Sequence, residues 1–221
     1  MPFNLVHSLV HRVEDGWDPI SSDYANQYAE SAWREDCAAV INRLEAFGGR
    51  LKGKKVLDLG GGAGQYSVLF AQRGAFVTWH DVSREYARIA RNKAESSGVS
   101  VEFSLGYLES AVKQETQSFD VVFCRLSWSY GKNDRNFARL LWSLIGPGGV
   151  GYIECNTPAF ARPRGLTRVR YWLNEYLWWK IGHPYPPHGR IAKLIQAHPV
   201  KKMIVDYSSE FSDIVMFVKR S

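Results

Sequence analysis

Lys54-Lys55-Val56-Leu57-Asp58-Leu59-Gly60-Gly61-Gly62-Ala63-Gly64-Gln65-Tyr66 holds three local signals in succession. Val56 to Leu59 is an apolar run of the kind that forms a buried parallel strand. The four glycines between 60 and 64 permit a sharp turn with positive φ and let backbone come close to a ligand. From Gln65 to Arg73 the composition is helical, with Tyr66, Leu69 and Phe70 at helical spacing. Strand, glycine turn and helix in that order open a nucleotide-binding βαβ unit.

The acid ahead of the turn bears on the ligand. A dinucleotide fingerprint, G-x-G-x-x-G, asks for a third glycine where this chain has Gln65 or Ser67. A pyrophosphate at the turn would also meet the Asp58 carboxylate, whereas a cationic or zwitterionic ligand suits it. Asp58-x-Gly60-x-Gly62-x-Gly64 resembles motif I of the class I S-adenosylmethionine-dependent methyltransferases. In that family the acid contacts the methionine part of the cofactor, directly or through water, and the glycines make room for it. The resemblance therefore implies S-adenosyl-L-methionine as cofactor, with Asp58, Gly60, Gly62 and Gly64 binding it.

Ala75 to Ser83 reads as a second apolar strand ending in an acid, Asp81, some twenty residues beyond the turn. An acid there accepts hydrogen bonds from ribose hydroxyls. Asp81, with Val82 beside it, thus supports an adenosine ligand; the bland reading is an N-cap, for which Ser83 is equally placed.

At 221 residues the chain fits one elaborated domain, and 45% hydrophobic residues suffice for a sizeable core. No stretch approaches the ~20 apolar residues of a spanning helix. Met1 to Glu14 lacks the long apolar region of a secretory signal. Cys37, Cys124 and Cys155 have neither disulfide-framework nor zinc spacing, so a reducing cytoplasm is expected and no metal. The net charge is +6, unevenly spread: Arg162 to Lys202 holds nine basic residues against Glu175, a balance of +8, leaving −2 elsewhere. Such a block meets nucleic acid, an anionic membrane surface or an acidic small substrate, or is merely solvated.

Met1 to Ile20 reads as an arm or short lid, and Asp23 to Phe47 as one helix capped by Ser21 or Ser22 and ended by Gly48-Gly49. Related methyltransferases often carry a helix here with a tyrosine closing over the cofactor. The resemblance nominates Tyr28 and Arg34 on the cofactor, Arg34 for its carboxylate, and Tyr24 toward the substrate. Residues 1–52 form this N-terminal lid and 53–221 the Rossmann-like domain.

After a helix over Ser83–Ser97 and a strand over Val99–Ser104 comes Gly106-Tyr107-Leu108-Glu109. The family commonly offers an acid to adenine at this turn; here Leu108 holds the place. Ser118 to Cys124 is a fourth strand, opened by the Phe119-Asp120 pair typical of the family, and Arg125, Ser127 and Trp128 follow at its carboxyl end. Ligands of open α/β sheets sit there, so Arg125 is assigned to the cofactor and Ser127 and Trp128 to the substrate pocket, Trp128 as a wall. A helix over Asn133–Leu144, a tight Gly146–Gly149 turn and a strand over Val150–Glu154 come next. The last helix spans His188–Ala197, and strands over Val200–Tyr207 and Ser212–Lys219 close the chain. The resulting expectation is an α/β fold, a doubly wound, mostly parallel seven-stranded sheet with helices on both faces.

Between about 156 and 187 an extra segment intervenes. Leu166, Val169, Trp172, Leu173, Tyr176, Leu177 and Ile181 make an apolar stripe, with Arg162, Arg164, Arg168, Arg170 and Lys180 on or beside it. It reads as a substrate-binding cap, with Trp172, and Glu154 and Asn156 at the end of the fifth strand, on the acceptor; packing against the core and lying on a membrane surface are the alternatives.

Methyl transfer from a sulfonium needs mainly proximity and orientation, and a base only where the acceptor must lose a proton. His183 and His188 are the candidate bases. The expected activity is methyl transfer to a small molecule, on an oxygen of an anionic or amphipathic acceptor. An RNA or protein methyltransferase using the basic block is the alternative within enzymes, with nucleic acid the less favoured partner. A cofactor-binding subunit without catalysis is the alternative outside them. The sequence does not reveal the oligomeric state.

Overall fold

The computed structural model describes residues 11–13, 15–114 and 118–221. Of the expected arm, residues 1–10 and 14 lie outside the described residues. Two helices come first, α1 (Ser22–Ala32) and α2 (Cys37–Gly48). Then β1 (Lys55–Leu59), α3 (Gln65–Gln72), β2 (Phe76–Asp81), α4 (Arg84–Ser96) and β3 (Glu102–Leu105) alternate. A 3₁₀ turn (Leu108–Gln114) leads to β4 (Phe119–Arg125), a second one (Trp128–Tyr130) to α5 (Asp134–Leu144), and then comes β5 (Ile145–Asn156). A short α6 (Pro158–Ala161), α7 (Leu166–Leu177) and α8 (Arg190–Gln196) precede β6 (Val200–Ser209) and β7 (Ser212–Lys219).

The strands form one seven-stranded sheet in the order β3-β2-β1-β4-β5-β7-β6, with β7 antiparallel to both neighbours and the other pairings parallel. The strand order reverses between β1 and β4, which is where an open α/β sheet leaves a crevice at its carboxyl edge. Side-chain alternation along the strands divides the core. Leu57, Leu59, Val122 and Cys124 face α5 and α8, while Val56, Val121, Phe123 and Tyr152 face α2 and α3. A third cluster joins Ala25, Ala29 and Ala32 of α1 to Trp79 and to Tyr86, Ala87 and Ala90 of α4. Three alanines on one face let α1 lie close to α4.

Two local expectations are corrected. The single helix over Asp23–Phe47 is two, because Asp36 accepts a hydrogen bond from Ala39 N (3.3 Å) and starts a new helix. The indole of Trp33 meanwhile reaches across to Ala63 O (3.1 Å). Gly146 to Gly149 is a bulge inside β5 rather than a turn ahead of it: Ile145 pairs with Phe119 and Val150 with Val121. Gly148 takes a φ of 73° within it, which a glycine adopts without strain.

Candidate active site

A cleft of about 300 Å³, open to solvent, lies at the carboxyl ends of β1 and β4, lined by Tyr28, Asp58, Gly60, Gly61, Gly62, Gln65, Tyr66, Phe123, Arg125 and Leu126. A larger one of about 450 Å³ lies at the opposite, amino edge around Gly48–Leu51 and the β5 bulge. Strand ends of that kind are not where such sheets hold ligands.

The four glycines of the turn serve different purposes. A Cβ on Gly60 would stand 2.4 Å from Ser127 Cβ, one on Gly61 2.3 Å from the Trp79 ring, and one on Gly64 2.5 Å from Ala90 Cβ. Those three are required by the protein's own packing. A Cβ on Gly62 would meet only Tyr28, at 3.8 Å, so this glycine keeps the cleft open. The turn is held by Trp79 Nε1 donating to Gly62 O (3.0 Å) and by Gly62 N donating to Asp81 Oδ2 (3.1 Å).

Asp58 is buried and accepts a 2.6 Å hydrogen bond from Ser67 Oγ. Burial pushes its pKa up to about 7, with the neighbouring Asp81 adding to the shift and the Ser67 bond opposing it. Burial also raises Asp81, against the amide N–H groups of Ser83 and Gly62 that it accepts. The floor of the cleft therefore concentrates potential negative charge and favours a cation. Gln65 Oε1 is buried without a hydrogen-bond partner beside the same cleft. It is an acceptor that a ligand N–H would satisfy.

The opposite wall carries a guanidinium held between two carboxylates. Arg125 Nε donates to Glu154 Oε2 and Nη1 to Glu35 Oε2, both at 2.9 Å, with the guanidinium 5.3 Å above the Tyr66 ring. Burial works against its charge, and Glu154, Tyr66 and Glu35 outweigh that. The next residue, Leu126, has a φ of 59°. A left-handed leucine costs about 1 kcal/mol. It reverses the chain so that Ser127 Oγ returns to Leu59 O (2.9 Å) and fills the space beside Gly60.

On the far side, His80 Nδ1 lies 2.9 Å from Ser104 Oγ and Nε2 2.9 Å from Tyr107 O, which ties β2 to the turn holding Leu108. Burial lowers the His80 pKa, so the ring is a neutral brace. Leu108 is buried alongside Gly60. The arm closes this side: Asp18 Oδ2 accepts from Glu85 N (3.0 Å) and Ser83 Oγ (3.2 Å), and Tyr107 Oη donates to His11 O (2.7 Å). Arg84 also donates to the Val13 carbonyl. Ser83, not Asp81, caps α4, accepting from Tyr86 N at 3.1 Å.

Tyr28, Asp58, Gly60, Gly62 and Arg125 thus line one cleft, with Gly64, Asp81, Val82 and Leu108 next to it. Arg34 is exposed on the α1–α2 turn, and it is its neighbour Glu35 that reaches Arg125. Trp128 is fully buried, donates to Asp134 Oδ1 (3.1 Å) and meets Phe137 edge-on, so it belongs to the core and not to a pocket wall. Trp172 stands on the outer side of α7, half exposed beside Tyr176. Tyr24 is exposed, and Asn156 is half-buried at the end of β5. His183 lies against Tyr130, ring centroids 4.9 Å apart. His188 Nδ1 is 2.6 Å from Asp213 Oδ1, a buried carboxylate at the start of β7 that also accepts from Gly189 N (2.7 Å). Among the described residues no cluster of metal-binding side chains is present.

Glu154, expected with Asn156 to hold an acceptor, instead accepts from Arg125 Nε and Tyr152 Oη. Gln65, Glu35 and Asp213 have no role assigned from the sequence. Gln65 was there to be found, since it follows the last glycine of the turn. The acids were not, because each is defined by a partner far along the chain.

Residues 56–149 match the family model described as a methyltransferase domain. The chain is similar to a ubiquinone biosynthesis O-methyltransferase of Bordetella avium, 30% identical over 60% of this chain and 52% of that protein. It thus spans about half the length of that curated relative. Among solved structures, an O-methyltransferase family protein from Burkholderia thailandensis superposes with a TM-score of 0.67 at 19% identity, covering 90% of this chain and 60% of the other. A magnesium protoporphyrin IX methyltransferase from Synechocystis, solved with bound S-adenosylhomocysteine, gives 0.59 at 19% identity over 87% and 82%. At these identities the two structures establish the shared fold.

Proposed function

We propose, for a chain whose residues 56–149 belong to the class I S-adenosylmethionine-dependent methyltransferases, that it methylates an oxygen of a small amphipathic or anionic acceptor. The observation that carries the cofactor part of this reading is the pair Asp58 and Asp81, at the ends of adjacent parallel strands and joined through the backbone of one glycine turn. The relatives' names, ubiquinone biosynthesis O-methyltransferases, support oxygen and an amphipathic acceptor.

The donor set fits S-adenosylmethionine, which supplies an activated methyl group on a good leaving group. Asp81, with Val82, would hold the ribose hydroxyls and Leu108 the adenine. Asp58 and the orphaned Gln65 Oε1 would serve the amino end, and Arg125 the carboxylate. Tyr28 would close over the cleft from α1, with residues 1–52 as the lid and 156–187 as the cap. These residues exclude water and fix direction, the main contributions such a displacement asks of a protein. We assign proton removal from an acidic acceptor hydroxyl to His188, which Asp213 holds through Nδ1. Asp213 sits across β5 from the end of β4, roughly 10 Å away at ordinary strand spacing. His183, against Tyr130, is the second candidate. The basic block favours a nucleic acid less than its charge suggests, since Lys180 and Arg190 are buried on Asp134.

The test is calorimetric titration with S-adenosylhomocysteine and NAD in parallel, then incubation with S-adenosylmethionine and pools of phenolic, carboxylic and RNA acceptors. Binding of S-adenosylhomocysteine alone, with product from the phenolic or carboxylic pool, is expected. A folded sample that binds neither nucleotide overturns the cofactor reading; turnover only on RNA overturns the acceptor class.

A further inference from the structure

Helix α7 turns an apolar stripe outward. At 100° per residue, Leu166, Val169, Trp172, Tyr176 and Leu177 share one side, and that side faces solvent: Leu166 is 86% exposed, Tyr176 61% and Trp172 51%. Trp179 and Ile181 continue the exposed surface past the helix end. Its inner side holds Asn174 and the half-buried Tyr171. Asn174 is buried, donating to Tyr185 O (3.2 Å), and Arg190 donates to Asn174 Oδ1 (3.0 Å), Asn174 O (2.7 Å) and Glu175 O (2.8 Å). Lys180 is anchored on Asp134 at 3.1 Å. These buried polar bonds fix which side points out, so the exposed stripe is a built surface and core packing is not its role.

The charge around the stripe indicates what covers it. Arg162, Arg164 and Arg168 are exposed, and none is in an ion pair among the described residues. Arg170 bonds Ile181 O (3.0 Å) and is exposed as well. Glu175 is the acid of this stretch. A second copy docked by the same face would bring like charges together. An anionic bilayer complements them, takes up the aliphatic side chains, and suits Trp and Tyr at its interface.

We propose that α7, with the Arg162–Arg168 approach to it, is a docking surface for an anionic lipid bilayer, the helix lying flat with Leu166, Val169, Trp172 and Tyr176 in the interface. This is independent of the acceptor's identity and would let an amphipathic acceptor reach the site from the membrane.

Flotation of the full chain with vesicles of phosphatidylcholine, alone and mixed equally with phosphatidylglycerol, tests it. Expected are flotation with the mixed vesicles only and a blue shift of tryptophan emission. Leu166→Ser with Trp172→Ser should abolish flotation, and Arg164→Gln should weaken it about fivefold. Both variants should keep wild-type S-adenosylhomocysteine binding and circular dichroism, since the outer face of α7 touches neither cleft nor core. No flotation by a folded wild type overturns the proposal. So does flotation that survives the double substitution, or a dimer in sedimentation that the double substitution dissolves.

Discussion

Asp81 Oδ2 accepts the backbone N–H of Gly62 at 3.1 Å, so the acid ending β2 and the glycine turn ending β1 form one unit. Its other oxygen accepts Ser83 N at 3.0 Å. Asp81→Ala removes the proposed ribose acceptor and leaves both amides without a partner. At about 1.5–3 kcal/mol for a hydrogen bond to a charged group, S-adenosylhomocysteine affinity should fall roughly 10- to 100-fold. Asp81→Asn keeps an acceptor oxygen and should lose less. Calorimetry on both variants checks this, and equal losses would mean that charge rather than geometry matters.

Asp58 makes the free protein pH-sensitive. Its pKa is raised from 3.8 to about 7 by burial. Between those values the native state keeps a proton that the unfolded chain has released, so the Asp58 contribution to stability falls as pH rises through that window. Urea denaturation of wild type against Asp58→Asn should show that slope in the wild type and its loss in the variant. Affinity for the cationic S-adenosylmethionine should move the other way, strengthening as pH rises through 7 and the carboxylate forms.

Adjacent glycines of the turn should fail differently. Gly61→Ala drives a methyl into the buried Trp79 ring, 2.3 Å away, and should cost stability of about 1–3 kcal/mol. Gly62→Ala projects toward the cleft and Tyr28, and its φ of 49° adds strain of about 1 kcal/mol. The Gly62 variant should remain folded and lose cofactor binding. Thermal melts paired with titration separate the two outcomes.

The strand–turn–helix motif and the alternating strands were legible because their physics is local. The glycines at 60–64 and the acid at 58 lie within a few positions of each other, and Asp81 stands at the end of the next strand, about twenty residues on. The periodicity of α7 was equally visible, yet which way its stripe points was not. Arg190 and Asp134 decide that, and they approach Asn174 and Lys180 from 16 and 46 residues away. Trp128 and Trp172 show the same limit: one is a core residue on Asp134, the other a surface residue, and composition cannot separate them. The left-handed Leu126 had no sequence signal, since leucine is poor in that conformation and is held there by the surrounding chain.

His188 and Asp213 should act on turnover and not on cofactor binding. With His188→Ala, kcat on an acidic hydroxyl acceptor should fall roughly 10²- to 10⁴-fold. Asp213→Asn should lose less, because the imidazole remains but is no longer held through Nδ1. S-adenosylhomocysteine affinity should be unchanged in both. If His183→Ala shows the larger kcat loss and His188→Ala none, the base assignment moves to His183.

Asp134 is shared by two cations, Lys180 Nζ on Oδ1 and Arg190 Nη1 on Oδ2, each at 3.1 Å and all three buried. Burial lowers the Arg190 pKa, and Asp134 is the group that opposes this most. The trio holds one uncompensated positive charge, so the carboxylate is the member the others depend on. Asp134→Asn leaves two buried cations facing each other and should destabilise the fold by roughly 3–5 kcal/mol. Lys180→Met removes one cation and leaves Asp134 paired one-to-one with Arg190 and still bonded to the Trp128 indole. Its cost should be less than half as large, although both variants delete the Lys180–Asp134 pair; Asp134→Asn deletes the Arg190 pair as well. Urea denaturation at neutral pH compares them, and a Lys180→Met loss equal to that of Asp134→Asn would show that the Lys180–Asp134 pair alone, not the charge balance, carries the energy.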